Sequence, residues 1–135
     1  MIENFNGIFY LAIFLLILVM NIFYAYQCLF NTKNFMDKYA IDVTSAFFAR
    51  FAGSFVAGTV LMQFYILYRG TEGTWAFFNF LFITLLLIAC AAFYTTEIDK
   101  LGRTEKTSKE GYLSTGALAI MTGVLCFGLA DKIYM

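Results

Sequence analysis

The stretch IFYLAIFLLILVMNIFYAYQCLF, residues 8–30, decides the fold class, because it runs for 23 residues without a charged side chain. At ~1.5 Å per residue, an α-helix of this length crosses a hydrocarbon core of ~30 Å. Three further stretches of 19 to 24 residues are nearly as poor in charge: residues 45–68, 75–94 and 112–130. The sequence therefore predicts an all-α fold, a bundle of four transmembrane helices in a single integral membrane domain over residues 1–135.

The composition of the whole chain agrees with a lipid environment. Of the 135 residues, 61% are hydrophobic and 13% are charged, whereas a soluble domain carries about 25% charged residues. A soluble core in so short a chain could not hide this much apolar surface. The formal net charge is zero, so the chain lacks the basic footprint of a nucleic-acid-binding protein. The first stretch is too long for a signal peptide, and we expect it to be retained.

Basic residues are distributed unevenly between the connections, and this predicts the orientation. One side of the membrane would carry only Arg69 and Lys132. The other side would carry the loops 31–44 and 95–111, whose basic residues, with Arg50 just inside the second span, are Lys33, Lys38, Lys100, Arg103, Lys106 and Lys109. The positive-inside rule then places both loops in the cytoplasm and both termini outside, in a plasma or inner membrane.

The connections contain further signals for local structure. In residues 33–41, apolar side chains recur at three- and four-residue spacing opposite charged ones, which fits either a short helix at the membrane interface or a plain loop. Gly70 is placed to close the second span, and the third span is expected to continue to about Leu101. Residues 107–110 have the spacing of a capping box at the start of the fourth helix.

Small residues on two spans indicate where helices approach each other closely. The second span carries Ser45, Ala49, Gly53 and Ala57 at four-residue spacing, and the fourth span has a similar row, Thr115, Ala119 and Gly123. Such rows let helix backbones come into contact in lipid. We interpret both as packing surfaces within one chain, with an oligomer interface as the alternative.

Six polar residues within or beside the spans are the candidate site of this chain: Arg50, Glu97, Asn21, Ser54, Gln63 and Asn79. Arg50 is the one charge clearly inside a span, ~8 Å from the helix start. It could snorkel to the lipid headgroups, bind an anion or a lipid phosphate, or pair with Glu97, which lies at a similar depth on the third span.

Two competing pairings follow from these positions. Glu97 and Asn79 lie on one stripe of the third span, because eighteen residues make five full turns. Gln63 could bond Asn79 near the outer end, but Gln63 and Arg50 lie about 220° apart around the second span. A straight helix cannot offer both to the same stripe, and we favour Arg50–Glu97. Asn21 is expected near the level of Ser54, as interhelical glue.

No named chemistry is predicted from the residue types present. The chain has no His and three well-separated cysteines, so we expect no catalytic, cofactor-binding or metal site. Small four-span multidrug transporters depend on a carboxylate embedded in the first helix. This first span instead has the uncharged side chains of Asn21 and Gln27, which disfavours proton-coupled export by that route.

Read together, the first two spans show a loose family resemblance. A long apolar helix is followed by Leu29-Phe30-Asn31, a Phe-Met-Asp-Lys-Tyr segment at 35–39, Ile41-Asp42, and a helix with Arg50-Phe-Ala-Gly53. Over about residues 10–68 this order resembles the small four-helix DoxX-like membrane proteins and related families of unknown function. The resemblance implies a compact four-helix bundle and carries over no catalytic residue. Some DoxX-like proteins are linked to quinone or thiol redox complexes, but this chain lacks a paired Cys motif.

Three functional hypotheses remain open at this point. The first is a non-enzymatic accessory or scaffold subunit of a larger membrane assembly, whose partners are the lipid bilayer and other membrane subunits. The second is a small homo-oligomeric transporter or channel with a path near Asn21, Arg50 and Ser54. The third is a membrane enzyme acting on lipid, which is the weakest because no activated nucleophile or acid–base pair is visible.

Overall fold

The structure is a computed structural model that describes residues 2–135, and this part of the chain is helical, without a strand. Its six α-helices are α1 (Ile8–Leu29), α2 (Thr32–Lys38), α3 (Ala46–Arg69), α4 (Trp75–Phe93), α5 (Glu110–Gly128) and α6 (Ala130–Ile133). Short 3-10 turns at Glu3–Phe5 and Val43–Ser45 precede α1 and α3, and a π-helical segment, Tyr94–Asp99, extends α4.

Four of the helical segments are long and apolar enough to cross a membrane: Ile8–Leu29, Val43–Arg69, Trp75–Asp99 and Glu110–Gly128. This confirms the predicted all-α bundle of four spans. The third span runs to Asp99, close to the predicted end. The segment after the first span forms α2, so the short helix is the alternative that the structure adopts.

Helix ends follow the local chemistry in part. Gly70 closes α3 with a φ of 105°, a value that favours glycine. Asp42 accepts a hydrogen bond from the backbone N–H of Thr44 at 2.8 Å and starts the turn that leads into α3. The predicted capping box is wrong: the Thr107 hydroxyl accepts from the N–H of Thr104, and α5 begins only at Glu110.

The spanning helices pack mainly as three pairs: α1 against α3, α4 against α5, and α1 against α5. Thus α3 and α4 lie at opposite edges of the bundle. We call the end that holds both chain termini and the 70–74 turn the terminal end, and the end that holds α2 and the 99–109 loop the loop end.

The shared hydrophobic core lies in the terminal half of the bundle. The ring of Phe14 in α1 contacts the ring of Phe5, with centroids 4.9 Å apart, and the ring of Phe78 in α4, with centroids 6.0 Å apart. Leu129 and Ile133 close this core from the C-terminal side and are fully buried. In contrast, none of residues 86–94 at the loop half of α4 is buried.

Glycines mark the closest helix approaches. A Cβ added to Gly53 of α3 would lie 2.6 Å from the Cβ of Cys28 in α1, and one added to Gly123 would lie 3.0 Å from the Phe82 ring. A Cβ on Gly128 would overlap the Tyr10 ring. The small-residue rows therefore serve packing within the chain at Gly53 and Gly123, as we interpreted them.

Candidate functional site

The register between α1 and α3 differs from the one that the sequence suggested. Gly53 lies opposite Cys28 and Leu29, so the first turns of α3 extend beyond the end of α1 and pack beside α2. Relative to an Asn21–Ser54 alignment, this is a shift of about six residues, or ~9 Å. The physical cause is α2, which places Thr32 and Met36 in buried positions under the end of α1.

The register shift gives Asn21 a different partner from the one expected. Its side-chain amide donates to the Gln63 carbonyl oxygen at 2.9 Å across the α1–α3 interface, and both side chains are buried. The alternative pair, Gln63–Asn79, is therefore wrong. Gln63 is 0% exposed, and its Nε2 has no hydrogen-bond partner in the part of the chain described.

Asn79 instead belongs to a polar cluster at the terminal end. Its amide nitrogen donates to the Tyr134 hydroxyl at 2.8 Å, and that hydroxyl can donate back to the Asn79 oxygen at 3.0 Å. The Tyr134 ring also stacks on Trp75, with centroids 6.4 Å apart. These contacts hold the C-terminal segment to the start of α4.

The N-terminal segment is tied down at the same end. Asn6 adopts a left-handed conformation, and its amide donates to the Gly128 carbonyl at 3.1 Å and to the Asp131 carboxylate. The Thr71 hydroxyl donates to the carbonyl of Asn4. These bonds tie the N-terminal segment, with its fully buried Phe5, to α5, α6 and the 70–74 turn, and we call this group of contacts the polar cap.

The favoured Arg50–Glu97 pair is not formed. Arg50 donates through Nε to the Thr32 hydroxyl at 3.4 Å. Glu97 accepts from the Tyr112 hydroxyl at 2.9 Å and lies 3.7 Å from the Lys109 ammonium. The reason is the packing order: α3 and α4 occupy opposite edges of the bundle, so their loop-end residues find partners on α2 and α5.

The candidate transport residues do not surround one path within the chain. Asn21 is buried between α1 and α3, whereas Arg50 and Ser54 are exposed. The Ser54 hydroxyl donates to the carbonyl of Arg50, one turn earlier, at 2.9 Å. It is therefore engaged with its own helix.

The surroundings of Arg50 form a groove at the loop end. It has a volume of about 440 Å³ and is lined by Thr32, Lys33, Met36, Val43, Ala46 and Arg50. Thr32 is fixed in turn, because its hydroxyl donates to the carbonyl of Cys28 at 2.7 Å. The groove therefore combines an apolar floor with two cationic side chains.

Ionisable groups at the loop end are shifted by their hydrogen bonds. The bond to Glu110, 3.2 Å from the Lys38 ammonium, raises the pKa of Lys38, and contacts with Tyr39 add to the effect. Hydrogen bonds from the Thr44 hydroxyl and N–H lower the pKa of Asp42. The Lys38–Glu110 contact joins α2 to the start of α5 and so links the two helix pairs.

Side chains that can bind metal ions lie apart from one another in the described structure. Within residues 2–135, no three His, Cys, Asp or Glu side chains come together in a group that could hold a metal ion. Cys28 and Cys126 are buried in different helix contacts, and Cys90 is exposed on α4.

Several residues with structural roles were missed from the sequence: Thr32, Tyr112, Tyr134, Thr71 and Phe5. Their common feature is that each lies at or beyond a helix end, where the partner depends on the order in which the helices pack. One signal in the sequence could have predicted burial at the terminal end: Phe5 and Ile133 are apolar residues within segments that also contain polar residues.

Comparison with known proteins adds no relative. No protein-family model matches the chain, and neither the curated proteins nor the solved structures give a match. The resemblance of residues 10–68 to DoxX-like proteins stays a prediction.

Proposed function

We propose that this chain is a non-enzymatic accessory or scaffold subunit of a larger membrane assembly. The observation that carries the proposal is the uncovered loop half of α4. Its buried residues, Phe78, Leu81 and Leu85, all lie in the terminal half, and residues 86–94 contain none. An accessory subunit would cover this surface with helices of its partners.

The polar side chains of the spans support the same proposal. Asn21 and Gln63 bond each other, Asn79 bonds Tyr134, and Glu97 bonds Tyr112. Each of these side chains is engaged in joining one helix to another. Polar side chains used as helix–helix contacts suit a chain whose task is to hold a shape.

The orientation that we propose keeps the loop end in the cytoplasm. Lys33, Lys38, Lys100, Arg103, Lys106 and Lys109 all belong to this end. The compact polar cap would then lie outside, and the uncovered half of α4 would lie in the cytoplasmic leaflet, with its π-helical extension reaching the aqueous side.

A site-specific crosslinking experiment tests the proposal. A photoreactive residue at Leu87 of α4, which is 64% exposed, is compared with one at Leu61 of α3, which is 71% exposed. After irradiation in native membranes and extraction in mild detergent, we expect a stoichiometric protein adduct from position 87 and lipid adducts from position 61.

The outcomes separate the open hypotheses. A monodisperse chain that crosslinks only to lipid from both positions contradicts the accessory role. An adduct of twice the chain mass from position 87 would instead favour the homo-oligomer of the transporter hypothesis.

A further inference from the structure

We propose that the groove beside Arg50 binds an anionic phospholipid, with the lipid phosphate on Arg50 and Lys33 and an acyl chain along the apolar floor. This inference is independent of the accessory role. It rests on the chemistry of the groove walls, the free donors of the guanidinium, the absence of a neighbouring counter-charge and the depth of the site.

The guanidinium of Arg50 is held in place by one hydrogen bond, which leaves its other N–H donors free. Its Nε donates to the Thr32 hydroxyl at 3.4 Å, and Thr32 is itself anchored to the carbonyl of Cys28. An arginine has five N–H donors, and the four on its two terminal nitrogens form the fork that matches a phosphate. The single bond through Nε thus leaves the phosphate-binding edge open.

The two cations of the groove lack protein counter-charges. Within residues 2–135 the ion pairs are Lys38–Glu110 and Lys109–Glu97, so neither Arg50 nor Lys33 has a carboxylate partner. The acidic residue nearest to Arg50 along the chain is Asp42, whose carboxylate accepts from the hydroxyl and N–H of Thr44. Asp37 lies one turn after Lys33 on α2 but forms no ion pair with it within the described residues. A phosphate would supply the missing negative charge.

The floor of the groove suits a hydrocarbon chain. Met36 is buried, and Val43 and Ala46 form the opposite wall at the start of α3. The volume of about 440 Å³ falls within the range of small-molecule sites. A free inorganic anion would use the cations but leave this apolar surface uncovered, which is why we assign the site to a lipid.

The depth of the site agrees with a headgroup. Thr32 lies just after the end of α1, and the register shift brings Arg50 to the same level. We place the membrane interface at this level, where basic side chains attract anionic lipids. With the orientation proposed above, the lipid comes from the cytoplasmic leaflet.

Native mass spectrometry of the full chain in mild detergent tests the proposal, with phosphatidylglycerol and phosphatidylcholine as probes. We expect phosphatidylglycerol to bind at least about tenfold more tightly, because the choline cation is repelled by Arg50 and Lys33. Arg50→Gln should weaken phosphatidylglycerol binding about tenfold or more, and Arg50→Lys should weaken it less, because lysine keeps the charge but loses the fork.

Two variants complete the design. Lys106→Gln removes one positive charge from the exposed loop outside the groove and should leave the affinity within about twofold. Ala46→Leu keeps both cations but places a larger side chain on the apolar wall of the groove, and should reduce lipid binding while sparing any binding of inorganic phosphate. This variant also keeps the proposal testable if Arg50→Gln does not fold, as judged by its helical circular dichroism.

Three results would overturn the assignment. Equal weakening by Arg50→Gln and Lys106→Gln would indicate diffuse electrostatic attraction. Competition by inorganic phosphate as strong as that by the lipid, together with no effect of Ala46→Leu, would indicate an anion site without a lipid. Equal affinities for the two lipids would remove the role of the uncompensated cations.

Discussion

The terminal half and the loop half of the bundle are built from the same four helices but are held together differently. In the terminal half, Phe5, Phe14 and Phe78 join three segments into one core. In the loop half, α1–α3 and α4–α5 are separate pairs, joined by the exposed Lys38–Glu110 contact between α2 and α5.

Hydrophobicity alone does not distinguish these halves. Leu86, Leu87 and Ile88 of α4 are as apolar as the buried residues of the core, yet all three are exposed. In lipid an exposed leucine costs little, because the acyl chains are as apolar as the protein interior. Burial in such a protein therefore reports where backbones approach closely and where polar groups pair, and it is there that substitutions should be felt.

The largest expected effect separates the two halves directly. Phe14→Ala removes a ring that packs against Phe5 and Phe78 and should reduce the free energy of unfolding of the purified chain by about 3–5 kcal/mol through the cavity left behind. Leu87→Ala should change it by less than about 0.5 kcal/mol, because lipid or detergent replaces the lost methyl groups. Unfolding in a denaturing detergent, followed by circular dichroism, measures both. Similar losses for the two variants would contradict the division into halves.

The next effect concerns a close approach of two helices in the loop half. Gly53→Ala places a Cβ 2.6 Å from the Cβ of Cys28, which cannot rotate away, so α1 and α3 must separate at a cost of about 1–3 kcal/mol. Gly58→Ala on the same helix meets no atom within 4 Å and should be neutral or stabilising by up to about 1 kcal/mol. If both glycine variants unfold alike, α1 and α3 do not cross at Gly53.

Much of the fold could be predicted from the sequence because it depends on local properties. Span positions follow from runs of apolar residues, and Gly70 closes α3 because its backbone has a positive φ. The partner residues could not be predicted in the same way. Arg50 and Glu97 carry opposite charges and were expected at similar depths, but α3 and α4 lie at opposite edges of the bundle. No local pattern in the sequence specifies the order in which the helices pack.

The register was the second quantity that local reasoning missed. Aligning the spans at their predicted ends places Asn21 beside Ser54. In the structure, α2 shifts the start of α3 beyond the end of α1, and this shift brings Gln63 to Asn21. The sequence was equally compatible with a helix and with a plain loop at this position. The seven-residue helix α2 therefore determines which polar groups meet. The position of each span along the sequence is predictable, but which residues meet across two spans depends on the connection between them as well.

A smaller effect is expected at this buried amide pair, which joins only α1 and α3. Asn21→Leu leaves the buried Gln63 amide without its partner and should cost about 1 kcal/mol. The double variant Asn21→Leu/Gln63→Leu should recover most of that loss, because it also removes the buried Nε2 amide group of Gln63, which has no hydrogen-bond partner among the described residues. A double-mutant cycle on unfolding free energies measures the coupling. Additive losses from the two single variants would show that the amides do not act as a pair.

The smallest effect lies in the contact that bridges the two helix pairs of the loop half. The hydrogen bond to Glu110 raises the folded-state pKa of Lys38 above that of the unfolded chain. Its stabilisation is therefore fully present below the ordinary lysine pKa of ~10.4 and is lost as the pH rises through the folded-state value. Unfolding curves of the wild type and Lys38→Gln should converge at alkaline pH and with added salt, since the side chains of Lys38 and Glu110 are exposed.

Lys106→Gln is the matched control, and its difference from the wild type in unfolding free energy should not change over the same pH range. If Lys38→Gln behaves like this control, the two helix pairs are joined by the terminal core alone, and their loop ends are free to move apart.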